Sequence, residues 1–270
     1  MMMMIMKTIR GAKQMNVLSL FDGMSCGQLA LDKLGIKPTY FASEIDKYAM
    51  QVTKANYPNT HFIGDVTKVD AKLLPKIDLL LGGSPCQGFS FAGKQLNFDD
   101  PRSKLFFEYV RLLKELKPKY FLLENVRMKK ESQDIISEYL GVQPIAINSN
   151  LVSAQNRHRL YWTNIPNITQ PKDKQINLKD IIEDGVTDRT KSHCIDANYF
   201  KGGNLKSYFE KHRRQLIFSD EGLCHVGDAD LKGHGYVRRV YSPEGKAPSL
   251  CASSGGNLDP CTYFDNILTE

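Results

Sequence analysis

The sequence predicts an α/β fold: a doubly wound, mostly parallel, Rossmann-like sheet followed by a smaller, irregular domain. In the first half, short apolar runs alternate with segments of helical periodicity, a pattern typical of parallel strands joined by helices. Polar residues stand where several of these runs end, as they do at the ligand sites of open α/β sheets. After about residue 166 the alternation fades, and lysine and arginine residues multiply.

The predicted elements follow in chain order. Buried strands are predicted at the apolar runs 16–21, 40–45, 62–66, 77–83 and 119–126. A helix over 26–35 closes on Gly35, and a helix over 46–57 begins behind a capping Asp46. A third, amphipathic helix over 103–118 ends at a proline.

Composition and charge narrow the class of protein. The chain has 270 residues, of which 41% are hydrophobic and 24% charged, as in soluble globular proteins. No apolar stretch is long enough to span a membrane, and a net charge of +6 permits a polyanionic partner. The six cysteines are scattered without a C-x-x-C pair, so no metal site is predicted, and a reducing, cytoplasmic location is expected.

The first strand runs into a glycine loop that opens a helix, Phe21-Asp22-Gly23-Met24-Ser25-Cys26-Gly27. Backbone amides at such a helix start favour a polar or anionic ligand group. The spacing is not G-x-G-x-x-G, so a dinucleotide is poorly supported, and a plain strand–helix turn is an equally good interpretation of the loop alone.

The second and third strands also end in carboxylates. Glu44 lies about twenty residues after the glycine loop, where an acid binds ribose hydroxyls in nucleoside-binding sheets. Asp65 is placed to take an adenine amino group and Val66 to pack on the ring, although Asp65 alone reads as an ordinary turn residue. Together these features predict a nucleoside pocket without a pyrophosphate grip, which suits S-adenosylmethionine better than NAD.

The fourth strand ends in "GGSPCQGFS", which places Cys86 in a loop between glycines, outside the apolar run. Pro85 fixes the backbone there, and a thiol in such a loop suits a nucleophile better than a packing cysteine. The fifth strand carries Glu124 out of an apolar run. A carboxyl buried in this way can have a raised pKa and donate a proton.

A basic segment, "SAQNRHRLYW", follows at 153–162. Gln155, Arg157 and Arg159 are spaced by two, so an extended strand would point all three to one face. Two guanidinium groups on one face suit a phosphate or a carboxylate, whereas the plain alternative is a solvated basic edge strand.

These motifs, in this order over residues 16–165, resemble the cytosine-5 DNA methyltransferases. The combination of Pro-Cys-Gln, Glu-Asn-Val and Q-x-R-x-R is highly specific. The resemblance implies methyl transfer from S-adenosylmethionine to C5 of cytosine in double-stranded DNA, through a covalent Cys86 adduct with the base flipped out. It implies catalytic roles for four residues: Cys86, Glu124, Arg157 and Arg159.

The resemblance also implies a cofactor site and a division of the chain. The cofactor-binding residues would be Phe21, Asp22, Gly23, Ser25, Gly27, Glu44, Ile45, Asp65, Val66, Pro85 and Leu105. Residues 1–15 are expected to be a flexible tail, 16–168 the catalytic methyltransferase domain and 169–270 the target-recognition domain. A nucleoid-associated role in restriction-modification or in phage or host DNA protection is expected.

The family pattern is expected to continue past residue 270 with closing motifs that this sequence lacks. A truncated or split form that binds DNA but needs a second polypeptide is therefore an alternative, and a cognate restriction endonuclease is a further expected partner. An RNA cytosine methyltransferase is the nearest rival, although its Cys-Phe-Thr segment is absent. A non-catalytic DNA-binding protein and a thiol-dependent dehydrogenase are more distant alternatives.

Overall fold

The structure is a computed structural model that describes residues 2–7, 15–84, 101–194, 208, 215–218, 225–228, 239–241 and 261–262. The chain divides into two compact units. Unit 1 comprises Met1–Val152 and Arg157–Lys174, and unit 2 comprises Ser153–Asn156 and Gln175–Glu270. The division predicted from the sequence lies after residue 168. The segment 153–156, which belongs to the second unit, was not predicted.

Unit 1 is built on a seven-stranded sheet with strand order β3-β2-β1-β4-β5-β7-β6. The strands are β1 (Asn16–Leu20), β2 (Thr39–Ser43), β3 (His61–Phe62), β4 (Leu79–Gly82), β5 (Tyr120–Val126), β6 (Ile145–Asn148) and β7 (His158–Thr163). Strands β1 to β5 pair in parallel, whereas β7 runs antiparallel to both β5 and β6. The predicted doubly wound, mostly parallel fold is confirmed.

Five helices accompany the sheet among the described residues: α1 (Met2–Met6), α2 (Cys26–Asp32), α3 (Lys47–Asn56), α4 (Pro101–Leu116) and α5 (Lys130–Leu140). One core cluster joins α1 and α2 to the sheet, and a second joins α4 and α5 to it. Both clusters include buried residues of the strands: Leu79 of β4 belongs to the first cluster, and its neighbour Leu80 belongs to the second. None of the helices in the described residues is long and apolar enough to cross a membrane.

The N-terminal segment corrects one expectation. Residues 2–6 form α1, in which Ile5 and Met6 have no solvent-exposed surface and belong to the core with Met15. This part of the segment is therefore a packed helix and not a flexible tail. Burial of apolar side chains against α2 explains the packing, because five residues are too few for a helix to be stable by itself.

In unit 2 the structure describes a three-stranded sheet of β8 (His225–Asp228), β9 (Arg239–Tyr241) and β10 (Cys261–Thr262), with β9 in the middle. Near the start of unit 2, the Arg189 guanidinium donates to the Asp188 carboxylate and stacks over the Tyr208 ring, 4.4 Å from the ring centroid. Hydrogen bonds from Arg189 and Tyr208, together with the positive charge of Arg189, lower the pKa of Asp188 to about 2. These contacts give the unit a local polar anchor.

Candidate active site

Parallel strands bring the predicted polar residues to one edge of the unit 1 sheet. β1, β2, β4 and β5 all end there, because neighbouring parallel strands point the same way. Two groups of side chains lie along this edge. One surrounds a cavity beside β1 and β2, and the other surrounds Glu124 at the end of β5.

The cavity has an accessible volume of about 240 Å³. It is lined by Phe21, Ser43, Glu44, Ile45, Asp65, Val66 and Leu105. Six of these seven residues were predicted from the sequence as cofactor-binding, and Ser43 was not. The structure therefore brings together residues that lie up to 84 positions apart in the chain.

The glycine loop after β1 is held in an unusual backbone conformation. Phe21, Gly23 and Ser25 have φ angles of 56°, 61° and 57°. These lie in the left-handed region, which residues other than glycine rarely adopt. The Gly23 amide donates a 2.7 Å hydrogen bond to Glu44 Oε2. The loop is thus tied to the end of β2, which presents Phe21 to the cavity.

Glu44 is half-buried and already serves as a backbone acceptor. Its Oε1 accepts hydrogen bonds from the amides of Ile45 (2.7 Å) and Asp46 (2.8 Å). Its Oε2 accepts the Gly23 amide, which leaves a second lone pair on that oxygen for a ligand hydroxyl. The carboxylate is fixed in position before any ligand arrives.

Asp22, Gly23, Ser25 and Gly27 were predicted beside the cofactor, but the structure does not place them in the cavity lining. Asp22 instead accepts hydrogen bonds from the Tyr40 hydroxyl (2.8 Å) and from the Ser25 hydroxyl. Burial raises the pKa of Asp22, and these hydrogen bonds oppose the rise. This partly buried network holds the glycine loop in place.

Asp65 and Val66 form the far wall of the cavity. Asp65 caps the short turn Val66–Lys68, because its Oδ1 accepts the Thr67 amide at 3.0 Å and the Thr67 hydroxyl at 2.9 Å. The amide hydrogen bond is the main reason that the pKa of Asp65 is lowered. Val66 is buried, with 5% of its surface exposed.

Sequence reasoning missed Arg111, which ties this wall to α4. Its guanidinium donates to the backbone oxygen of Val66 at 3.4 Å and to that of Val69 at 3.1 Å. Glu108 (2.8 Å) and Glu115 (3.0 Å) on the same helix hold the group in place. Since α4 also supplies Leu105, one helix positions two walls of the cavity.

The second group centres on Glu124 in β5. Arg159 Nε donates to Glu124 Oε1 at 3.2 Å, and Arg157 lies 3.7 Å from the same oxygen. The Arg157 side chain is 41% exposed, whereas that of Arg159 is 14% exposed. Glu124 therefore faces two guanidinium groups, of which that of Arg157 is the more exposed.

The Q-x-R-x-R expectation holds for the arginines only. β7 begins at His158, and Arg157 precedes it, yet both arginines reach Glu124. Gln155 instead forms a bridge with Ser192 and belongs to unit 2. Gln155 thus belongs to unit 2, whereas both arginines belong to unit 1.

Pro85 and Cys86 lie outside the described residues, but their attachment point is described. Ser84 is buried, and Asn125 Nδ2 donates to its backbone oxygen at 3.3 Å and to its hydroxyl at 3.5 Å. Asn125 is itself buried and is the neighbour of Glu124 in β5. The residue before the Pro-Cys dipeptide is thereby fixed to the strand that carries Glu124.

The glycines that lead into this segment provide a stability test. A Cβ on Gly82 would lie 2.7 Å from two ring atoms of the fully buried Tyr109. Gly82→Ala is expected to lower the free energy of unfolding by about 1–3 kcal/mol, because the core there has no room for a methyl group. Denaturant unfolding followed by circular dichroism measures the change.

Gly83→Ala is the matched control, since its Cβ would meet only the backbone oxygen of Glu124 at an ordinary 3.9 Å. It is expected to change the free energy of unfolding by less than about 0.5 kcal/mol. Equal destabilisation by the two substitutions would contradict the packing account of Gly82.

Comparison with known proteins identifies the family. The profile of the C-5 cytosine-specific DNA methylases matches residues 15–217. Relatives include the orphan methyltransferase M.Rho11sI of Bacillus phage rho11s, which is 28% identical over 92% of this chain and 69% of its own length. The type II methyltransferase M.HhaI of Haemophilus parahaemolyticus is 28% identical over 88% of this chain and 74% of its own length.

The type II methyltransferase M.NgoBV of Neisseria gonorrhoeae is 36% identical over 64% of this chain, but the match spans only 48% of its own length. The chain thus covers from about half to about three quarters of these relatives. The family match confirms the sequence-based assignment to the cytosine-5 DNA methyltransferase family. Since this match covers residues 15–217, well over half of the chain, the chain belongs to the C-5 cytosine-specific DNA methylase family.

Proposed function

We propose that this chain transfers a methyl group from S-adenosylmethionine to C5 of cytosine in duplex DNA, with Cys86 as the covalent nucleophile. The observation that carries the proposal is the joining of two sites at one sheet edge. Glu124 lies on β5, where it contacts Arg157 and Arg159 and neighbours Asn125, which anchors the start of the Pro-Cys segment. The cavity lies at the ends of β1 and β2.

The cavity residues fit the proposed cofactor. Glu44 Oε2 retains an acceptor position for a ribose hydroxyl, and Asp65 offers a carboxylate for an adenine amino group. Phe21, Val66 and Leu105 supply apolar surface for the ring and the chain of the cofactor. When bound, S-adenosylmethionine supplies the methyl group.

The residues around Glu124 account for activation of the base. Carbon C5 of cytosine is a poor nucleophile while the ring is aromatic. Addition of the Cys86 thiolate to C6 forms a C–S bond and moves electron density to C5, while Glu124 protonates or hydrogen-bonds N3 so that negative charge does not build on the ring. C5 then accepts the methyl group.

Product release reverses the addition. A base removes the proton from C5, the C5–C6 double bond reforms as the C–S bond breaks to return the thiolate, and N3 gives any proton it received back to Glu124. Arg159 would hold the carbonyl oxygen of the cytosine, and Arg157, which is more exposed, would support the adduct. Together with Glu124 these groups surround the polar edge of the base.

The target base must leave the DNA stack to reach Cys86, because C6 is covered in a duplex. We assign residues 16–168 to catalysis and 169–270 to target recognition, in which lysines and arginines would contact phosphates. The relatives include both type II and orphan enzymes by name, so DNA methylation with a cognate restriction endonuclease is one form of the proposal and methylation without one is the other.

The test incubates the purified chain with tritiated S-adenosylmethionine and either duplex DNA or RNA of matched sequence. Label is expected in DNA as 5-methylcytosine. A duplex containing 5-fluorocytosine should yield a covalent protein–DNA adduct, because C5 then carries fluorine in place of the proton that a base must remove before the thiol can leave. Label in RNA alone, or at the exocyclic amine of cytosine, would overturn the proposal.

A further inference from the structure

Arg159, which contacts Glu124, also lines a second cavity in unit 1. This cavity has an accessible volume of about 570 Å³ and lies among the start of α5, β6, β7 and the loop between these two strands. Its polar lining includes Arg127, Asn148, Asn150, His158, Arg159 and Gln170. Arg127 follows β5 directly, so the cavity opens at the same sheet edge as the candidate active site.

Hydrogen bonds fix the orientation of the central amide. Asn148 Oδ1 accepts the backbone amides of Arg157 at 2.9 Å and Asn150 at 3.3 Å, so the other side-chain atom must be the NH₂ group. That group lies 3.0 Å from His158 Nε2, which must therefore accept the hydrogen bond. The His158 proton is then on Nδ1, so the exposed ring presents an N–H donor.

The charges around the cavity have one sign. Arg127 and Arg159 are both in the lining, and no carboxylate is among the lining residues in the described part of unit 1. Arg159 is engaged by Glu124, whereas Arg127 is exposed and forms no ion pair with any residue that the structure describes. An unpaired guanidinium beside an N–H donor in a concave site favours an anion.

We propose that this cavity is a subsite for a backbone phosphate of the DNA strand that flanks the target cytosine, with Arg127 and His158 as its donors. The inference rests on the proposed function, because the neighbouring Glu124 site fixes which polyanion reaches this edge. A flipped nucleotide remains joined to its neighbours by phosphates, so one of them must pass close to the edge beside Arg159. Contacts of this kind set the register of the strand without reading its sequence.

Salt dependence of binding tests the subsite. Binding of a fluorescent duplex that carries the methylation site is measured by anisotropy between 50 and 200 mM salt. Arg127→Ala is expected to weaken binding about 5- to 30-fold and to lower the slope of log K against log salt by about 0.9, the loss of one phosphate contact. Arg127→Lys should keep the slope, since the positive charge remains.

Lys33→Ala is the matched control, because it removes one exposed positive charge at the end of α2, outside the lining of this cavity. It should leave the slope and affinity unchanged. A scan with single uncharged methylphosphonates on the target strand provides the second readout. Wild type should lose affinity at one flanking position, and Arg127→Ala should lose nothing further there.

The outcomes separate this inference from the proposed function. Wild type that traps 5-fluorocytosine DNA while Arg127→Ala binds with unchanged affinity and slope overturns the subsite alone. Independent, additive losses from Arg127→Ala and from every methylphosphonate position also overturn it. Wild type that neither methylates nor traps DNA overturns the proposed function itself.

Discussion

Cys86→Ser is expected to abolish both methyl transfer and the covalent adduct with 5-fluorocytosine DNA. A serine hydroxyl is a far weaker nucleophile than a thiolate unless a general base activates it, and addition to C6 is the step on which all later chemistry depends. We expect the single-turnover rate to fall at least about 10³-fold. The rate is measured as the amount of labelled product formed per unit time. Cofactor binding should be unchanged, because the described cavity residues come from the ends of β1 and β2, the turn at 65–66 and α4.

The control is Cys26→Ser, since Cys26 is the one cysteine of unit 1 among the residues that the structure describes. Loss of solvation, together with the carboxylates of Asp22 and Glu124, raises the pKa of Cys26, so its thiol is disfavoured as a nucleophile. This variant should still form the adduct. An adduct that survives in Cys86→Ser and disappears in Cys26→Ser would contradict the assignment of the nucleophile.

The sheet and the polar residues at its edge were predictable because two local signals coincide. An apolar run such as 77–83 marks a strand, and the residue that follows marks its open end, so Glu44, Asp65 and Glu124 could be assigned without knowledge of the fold. The parallel order of β1 to β5 then places these ends together. The cavity lining and the pairing of Glu124 with both arginines agree with that reasoning.

Other features depend on contacts that no local pattern contains. Arg111 looks like an ordinary surface residue of an amphipathic helix, but its function is to hold backbone oxygens 42 and 45 residues earlier in the chain. Residues 2–6 look like a loose start, but α2 and the sheet bury Ile5 and Met6. Asn148 and His158 acquire their roles only when β6 and β7 pair antiparallel.

Glu124→Gln is expected to lower the single-turnover rate of methyl transfer about 10²- to 10⁴-fold while DNA binding stays the same or becomes tighter. The amide keeps the size of the side chain but removes its ability to give a proton to N3, which is the usual range for loss of a general acid. It also leaves Arg157 and Arg159 without the carboxylate that they now contact. In the protein without DNA, Glu124 faces the two arginines as a carboxylate, so its replacement by an amide makes the local field more positive and favours the approach of a polyanion.

The opposite responses of rate and affinity distinguish a chemical role from a structural one. A carboxylate that only held the two arginines in place would, once removed, loosen them and weaken DNA binding together with the rate. Rate is measured with tritiated cofactor at saturating enzyme, and affinity by anisotropy on the same duplex. Glu138→Gln on the exposed side of α5 is the control, since it makes the same change of charge away from the sheet edge.

A Glu124→Gln variant that retains its rate within about threefold would show that N3 needs no proton from this residue. The sulfur adduct would then have to form on a cytosine activated by Arg159 alone, through its carbonyl oxygen. Arg159→Lys separates these cases, because lysine keeps the charge but lacks the planar fork that reaches both the base and Glu124. We expect both substitutions to be strongly impaired, with the double variant little worse than either one, because the carboxylate and the guanidinium act as one hydrogen-bonded unit.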